Sequence, residues 1–148
     1  MNDEGPLRRN KNRGYQQLRV WEDAVSLFAM VMDAVKGWPY ELKRLSSQFI
    51  AGADSVHRNI ADGYARRSIR EYLNFLNIAL GSLAETVSSI HAYHRTGKLS
   101  ETQFDELDAL ASKLENGMLR LVAALEEKRD RGDWQDSLVV QESNALYG

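Results

Sequence analysis

Apolar residues recur at steps of three and four along most of the chain, and this spacing constrains the fold more than any other feature. It places apolar side chains on one face of an α-helix, and no alternating pattern typical of β-strands competes with it. The spacing predicts an all-α domain over residues 16–129 with helices at about 18–36, 40–62, 68–96 and 101–128. The residues expected in its shared core are Trp21, Phe49, Phe75, Leu83, Leu107, Leu114 and Leu121.

Glycine residues mark where three of the predicted helices end. Gly37 follows the first helix, and Gly63 and Gly97 are expected to terminate the second and third, with Gly63 in the left-handed conformation. The connections between helices are short, and a short connection places consecutive helices side by side in opposite directions. The sequence therefore predicts an antiparallel up-and-down four-helix bundle.

Two serines are placed to begin the third and fourth helices. Ser68 is followed three residues later by Glu71, and Ser100 by Gln103, which is the spacing of a capping box. In this motif the serine hydroxyl accepts a hydrogen bond from a free amide of the first turn, and the longer side chain accepts one from the serine's own N–H. We expect both helices to start at these serines.

The composition argues against several classes of protein. The chain has no cysteine, so neither disulfides nor thiolate metal sites can form. Its longest apolar runs fall well short of the roughly 20 residues that cross a bilayer, and residues 1–15 form a basic, polar arm without the apolar stretch of a signal peptide. We expect a cytoplasmic protein that does not associate with a membrane and whose tails, 1–15 and 130–148, lie outside the bundle.

No set of residues indicates catalysis. His91 and His94 can share a helix face, but the paired Glu-x-x-His motifs of di-iron bundles are absent. His57 has no evident nucleophile partner, and no phosphate-binding glycine loop is present. We therefore expect no catalytic residues, no metal, no cofactor and no small-molecule substrate, and so a protein that is not an enzyme.

The third helix carries more apolar surface than one interface needs. One stripe consists of Tyr72, Phe75, Leu76, Ala79, Leu83 and Ile90. A second, offset stripe consists of Leu73, Leu80, Ala84 and Val87. The surplus predicts self-association through the second stripe, and the alternative is one wide stripe buried within a single protomer.

Charge is distributed unevenly along the chain. Residues 1–98 contain 14 Lys and Arg against 10 Asp and Glu, whereas residues 99–148 contain 5 against 11. The net charge of -2 argues against a general polyanion binder, which would be basic throughout, and leaves room for a local nucleic-acid patch.

The strongest candidate for such a patch lies between the second and third helices. We call it the arginine corner, and it consists of Arg58, Arg66, Arg67 and Arg70. Guanidinium groups clustered at a bend can bind phosphates through paired hydrogen bonds, so weak binding of RNA or DNA is one hypothesis. The other is that these arginines pair with Asp54, Asp62, Glu71 or acids of a neighbouring subunit.

Three further stretches complete a recognisable set of motifs. The three are Leu18–Trp21 (LRVW), Asn59–Gly63 (NIADG) and Ala79–Glu85 (ALGSLAE). They join the run Arg66–Tyr72 (RRSIREY), which contains the first serine cap and three residues of the arginine corner. Together they resemble the four-helix-bundle proteins encoded in intervening sequences of bacterial 23S rRNA genes, the S23 family, with Asp62 where that family usually has Glu. The similarity covers about residues 15–129.

Structural roles are expected for the motif residues, which are Asn59, Asp62, Gly63, Ser68, Glu71, Gly81, Ser82 and Glu85. Asn59 is expected to satisfy backbone groups near the end of the second helix, and Asp62 to pair with an arginine. Gly81 costs about 1 kcal/mol relative to alanine within a helix. A close helix approach there, with a polar contact from Ser82 or Glu85, would offset that cost.

The resemblance implies a homopentamer without established catalytic activity. It also implies a relation to the accessory variability proteins of diversity-generating retroelements, which are pentameric bundles that engage nucleic acid and a reverse transcriptase. The leading hypothesis is a non-enzymatic homo-oligomeric structural or interaction module, pentameric by this resemblance. The alternative is an accessory protein that binds ribosomal RNA or a retroelement intermediate through the arginine corner and the basic residues Arg8, Arg9, Lys11, Arg13 and Arg19.

Overall fold

The computed structural model describes residues 14–132, and this part of the chain is all-α with no β-strand. Its four α-helices are α1 (Arg19–Ala34), α2 (Lys43–Tyr64), α3 (Ile69–Arg95) and α4 (Glu101–Arg131). Short 3-10 turns at Gly14–Gln17 and Tyr40–Leu42 precede α1 and α2. Most of the predicted basic arm and C-terminal tail lies outside the described residues. Within them, no helix is long and apolar enough to cross a membrane.

The predicted caps begin α3 and α4. The amide of Glu71 donates to Ser68 Oγ at 3.0 Å, although the Glu71 side chain makes no return bond to the described backbone. At α4 the box is complete, because the amide of Gln103 donates to Ser100 Oγ at 3.1 Å and the amide of Ser100 donates to Gln103 Oε1 at 2.9 Å. These bonds satisfy amides that the first turn leaves free.

Gly63 does not have the conformation expected from the sequence. Helix α2 continues through Gly63 to Tyr64, so the prediction of a left-handed residue is wrong. A Cβ at this position would lie 2.9 Å from Phe75 Cβ and 3.2 Å from the Tyr72 carbonyl oxygen. Gly63 is therefore required by the close approach of α2 and α3, not by a turn.

Each helix packs against two others. Helix α2 contacts α1 and α3, and α4 contacts α1 and α3. Most of the predicted core residues are buried, but Trp21, Phe75 and Leu121 are only half-buried. These three lie at the edges of the apolar faces of their helices: Trp21 packs its ring on Tyr15, and Phe75 lies under the guanidinium of Arg66.

The second stripe on α3 lies mostly inside the protomer. Leu73 is 6% exposed and belongs to the core, while Leu80 and Val87 are half-buried and pack against it. Only Ala84 is exposed. Because α3 packs against both α2 and α4, it needs a wide apolar stripe, so Leu73 cannot be an interface residue as predicted.

Candidate interaction surfaces

Of the four side chains in the arginine corner, Arg58 alone forms an ion pair with an acid of the described residues. Arg58 Nε donates to Asp54 Oδ2 at 2.8 Å, and the same carboxylate is 2.7 Å from His57 Nε2. The guanidinium of Arg66 lies 4.4 Å from the centre of the Phe75 ring, a cation–π distance. Arg66, Arg67 and Arg70 form no ion pair with a carboxylate of residues 14–132.

Of the three acids proposed as partners for these arginines, one forms an ion pair with them within the described residues. Asp54 holds Arg58, whereas Asp62 and Glu71 form no ion pair within the described part of the chain. Three exposed arginines, Arg66, Arg67 and Arg70, thus lie just before or within the first turn of α3, whose amides also favour anions. This arrangement can attract phosphate groups.

A chain of hydroxyl and amide groups joins α2 to α3. Asn59 Nδ2 donates to the carbonyl oxygen of Ser55 at 2.8 Å and to Ser55 Oγ at 2.9 Å. Ser55 Oγ is 2.9 Å from Ser82 Oγ, which is the interhelical link. Asn59 thus bonds to the preceding turn of its own helix, not to free groups at the helix end as predicted. In this motif Ser82, and not Glu85, makes the interhelical contact.

An open groove of about 440 Å³ lies beside this chain of hydrogen bonds. Small side chains of α2 and α3, including Ser55, Ser82 and Ser89, form part of its lining. Gln48 and Glu85 also line it. Glu85 is the one charged residue in the lining of this groove, so the surface between α2 and α3 carries little charge there.

One side of α3 is exposed to solvent along most of the helix. We call it the outer face of α3, and it consists of Arg70, Asn74, Asn77, Ile78, Gly81 and Glu85. Ile78 is 52% exposed, and a Cβ on Gly81 would meet no atom within 4 Å. The close helix approach predicted at Gly81 is therefore absent among residues 14–132.

Charge is missing from the central part of this face. Residues 72–84 contain no Lys, Arg, Asp or Glu. On α4, by contrast, the exposed positions include Asp105, Glu106, Lys113 and Glu115. A long helix that exposes an uncharged stretch to solvent is typical of a contact surface.

Two histidines link the end of α3 to the start of α4. His91 Nε2 lies 3.1 Å from Asp108 Oδ1, and His94 Nε2 lies 2.9 Å from Glu101 Oε1. Both rings pack on Phe104, with centroid distances of 5.0 and 4.0 Å. Sequence reasoning missed these pairs, because nothing in the spacing of His91 indicates an acid 17 residues away.

The described residues hold little that indicates catalysis or metal binding. No group of three or more His, Cys, Asp or Glu in residues 14–132 is placed to bind a metal ion. Burial, together with the neighbouring Tyr64, raises the pKa of Tyr72 well above its ordinary value. The Tyr72 hydroxyl is therefore neutral at physiological pH and is not a candidate base.

Comparison with known proteins gives a family and a fold. The profile of the 23S rRNA-intervening sequence proteins matches residues 16–120. A crystal structure of a protein of unknown function from the S23 ribosomal protein family of Bacteroides thetaiotaomicron has the same fold, with a TM-score of 0.65 and 20% sequence identity. The similarity covers 70% of this chain and 95% of that one. No curated protein sequence matches the chain.

Proposed function

Because the chain belongs to the family of 23S rRNA-intervening sequence proteins, we propose that it is a non-enzymatic module that assembles with copies of itself. In this proposal the four helices form an antiparallel up-and-down bundle, which the short connections between them favour. The outer face of α3 is the contact surface. Copies that associate there present their remaining surfaces to further partners.

The observation that carries the proposal is the exposed, uncharged centre of the outer face of α3. Charged residues are depleted at the centres of protein interfaces, as they are here over residues 72–84. Gly81 supports the same interpretation. A glycine within a helix costs about 1 kcal/mol relative to alanine, and no close contact with another described residue offsets that cost. A second protein chain packed against Gly81 would do so.

A matched pair of exposed residues tests this contact surface. Ile78 on α3 and Leu119 on α4 are 52% and 49% exposed, so aspartate at either position leaves the core intact. We expect Ile78→Asp to dissociate the assembly to single chains of 16.8 kDa, while Leu119→Asp retains the wild-type mass. The measurement is light scattering after size exclusion, with circular dichroism to verify that both variants stay helical. An assembled Ile78→Asp variant would contradict the proposal.

The resemblance to the S23 family supports five copies as the number of subunits. A five-membered ring is built from heterologous contacts, in which each copy offers two different faces. The outer face of α3 provides one, and the exposed Met32 marks an apolar position on α1 that can belong to the other. A native mass of five chains would support this ring.

The arginine corner supports a second candidate function, an accessory role on nucleic acid. Arg66, Arg67 and Arg70 have no ion-pair partner among the described acids, so their charge is available to phosphates of ribosomal RNA or of a retroelement intermediate. Of the other basic residues assigned to this role, only Arg19 lies within the described range. Binding through these few cations would be weak, without sequence preference, and strongly dependent on salt.

A salt titration with labelled single-stranded RNA tests this second function. Replacing Arg66, Arg67 and Arg70 by alanine removes about three phosphate contacts, so the slope of log affinity against log salt should fall by about 2. The control replaces Arg44, Arg95 and Lys98, which are also exposed, and carries the same change in charge. If both triple variants weaken binding equally, or wild type does not bind at low salt, the arginine corner is not a nucleic-acid site.

A further inference from the structure

We propose that residues 133–148, which follow α4, run back along the helix and dock in a groove between the start of α1 and the middle of α4 of the same chain. We call them the 133–148 segment, and the groove the α1–α4 groove. The groove lies apart from the outer face of α3 and from the arginine corner, so the inference rests on neither of the functions proposed above.

The α1–α4 groove has an apolar floor. It has a volume of about 300 Å³ and is lined by the buried Val20 and the half-buried Leu18 and Leu121. Gly117 also lines it, and a Cβ at this position would lie 3.0 Å from Val20 Cγ1. Because Gly117 has no side chain, α1 and α4 pack closely and the floor stays free of α4 side chains at that point. The floor can therefore accept apolar side chains from outside.

The rim of the groove is basic. Arg19, Lys113 and Arg120 line it and are exposed. The one acid in the lining is Asp23, whose Oδ1 lies 3.5 Å from Lys113 Nζ. Arg19 and Arg120 form no ion pair with an acid of residues 14–132. An apolar floor with two uncompensated arginines at its rim fits an apolar segment that carries acids.

The 133–148 segment has this composition. It contains three Asp and Glu and no Lys or Arg, and its apolar run, residues 138–140 (LVV), lies between Asp136 and Glu142. Residues 1–13, which also lie outside the described range, contain four Lys and Arg against two Asp and Glu. The basic rim repels such an arm and attracts the acidic segment. Charge complementarity therefore selects the 133–148 segment as the occupant.

The length of the chain places the apolar run at the groove. Helix α4 is followed by Gly132 in the left-handed conformation, with a φ of 72°, which ends the helix and lets the chain leave its axis. Leu121 and Gly117 lie 11 and 15 positions before Gly132, about 16 and 22 Å along α4. Val139 lies 7 positions after Gly132 and reaches about 23–25 Å when the chain is extended. A segment that runs back along α4 thus brings residues 138–140 level with the floor.

A pair of introduced cysteines tests the contact. The chain has no cysteine of its own, so Leu121→Cys with Val139→Cys reports only the distance between groove and segment. The matched control is Leu119→Cys with Val139→Cys, because Leu119 lies two positions away on α4 but is exposed and does not line the groove. Equilibration with reduced and oxidised glutathione gives the effective concentration of the two thiols in each variant. We expect it to be roughly tenfold or more higher for the Leu121 pair, with the disulfide inside one chain.

Limited proteolysis provides a second measurement, which needs no cysteine. Docking protects the segment, so cleavage by chymotrypsin after Leu138 is slow in the wild-type chain. The variant Arg19→Glu with Arg120→Glu reverses the charge of the rim, and we expect the segment to be cut roughly fivefold faster at low salt. The control, Arg95→Glu with Lys98→Glu, changes the net charge equally at exposed positions outside the groove and should be cut at the wild-type rate.

Two kinds of result overturn the docking. One is an equal effective concentration for the two cysteine pairs, or a disulfide that forms between chains and not within one. The other is a rim-reversed variant whose cleavage after Leu138 is as slow as that of its control. Circular dichroism of each variant verifies that the four helices remain intact.

Discussion

Leu83→Ala is expected to lower the free energy of unfolding by about 2–5 kcal/mol. Leu83 is 1% exposed in the middle of α3, and its side chain packs in the core that all four helices share. Truncation removes buried methyl groups and leaves a cavity that rigid neighbouring helices cannot fill completely. Urea denaturation followed by circular dichroism at one fixed protein concentration measures the loss.

The control for this prediction is Leu119→Ala. Leu119 is a leucine in α4 that is half exposed, so its truncation should change stability by no more than about 0.5 kcal/mol. Equal effects at the two positions would mean that the buried faces of α3 and α4 are assigned wrongly.

Alanine at two glycines is expected to change stability in opposite directions. Gly63→Ala should destabilise the protein by about 1–3 kcal/mol, because its Cβ would lie 2.9 Å from Phe75 Cβ and 3.2 Å from the Tyr72 carbonyl oxygen. The greater helix propensity of alanine offsets part of this cost. Gly81→Ala gains that propensity without a clash with any described residue, so it should stabilise separate chains by roughly 0.5–1 kcal/mol.

The comparison of the two glycines is best made in the Ile78→Asp background, where the copies are expected to be separate. There the effect of Gly81→Ala reports the protomer alone. In the wild-type background the same substitution should weaken self-association, because the added methyl group occupies the contact. A destabilising Gly81→Ala in separate chains would contradict the exposed position of this glycine.

The helices and their caps could be predicted from sequence because they depend on local interactions. The spacing of apolar residues and the Ser100–Gln103 motif involve residues within one or two turns of each other, and the structure places α4 as predicted from its cap. Gly63 shows the limit of this reasoning. A glycine near a helix end is typical of a left-handed terminator, but here the deciding contact is with Tyr72 and Phe75 on the next helix.

The exposed side of α3 was harder to predict for the same reason. Sequence periodicity gave the width of the apolar stripe but not how many neighbouring helices share it. Periodicity therefore places Leu73 and Leu80 at an interface, although Leu73 belongs to the protomer's own core and Leu80 packs against it. Ile78 is a single apolar residue within a polar face, which periodicity alone treats as background. Its exposure beside Gly81 becomes informative only when the helices are packed.

The arginine corner could be located from sequence, because its members lie on either side of one short connection. Which acid each arginine pairs with could not be predicted from sequence. Arg58 was one of four arginines with several acids within reach, and the helix geometry selects Asp54, one turn earlier on the same face of α2. None of the remaining three arginines has an acid placed to meet it within the described residues, and Arg66 lies over the Phe75 ring instead.

The most direct test of self-assembly is the native mass of the full-length wild-type chain, measured by sedimentation equilibrium over a range of protein concentrations. We predict a mass of two or more chains of 16.8 kDa each, falling toward one chain only on dilution. A mass of one chain at every concentration at which the protein is soluble would contradict the account.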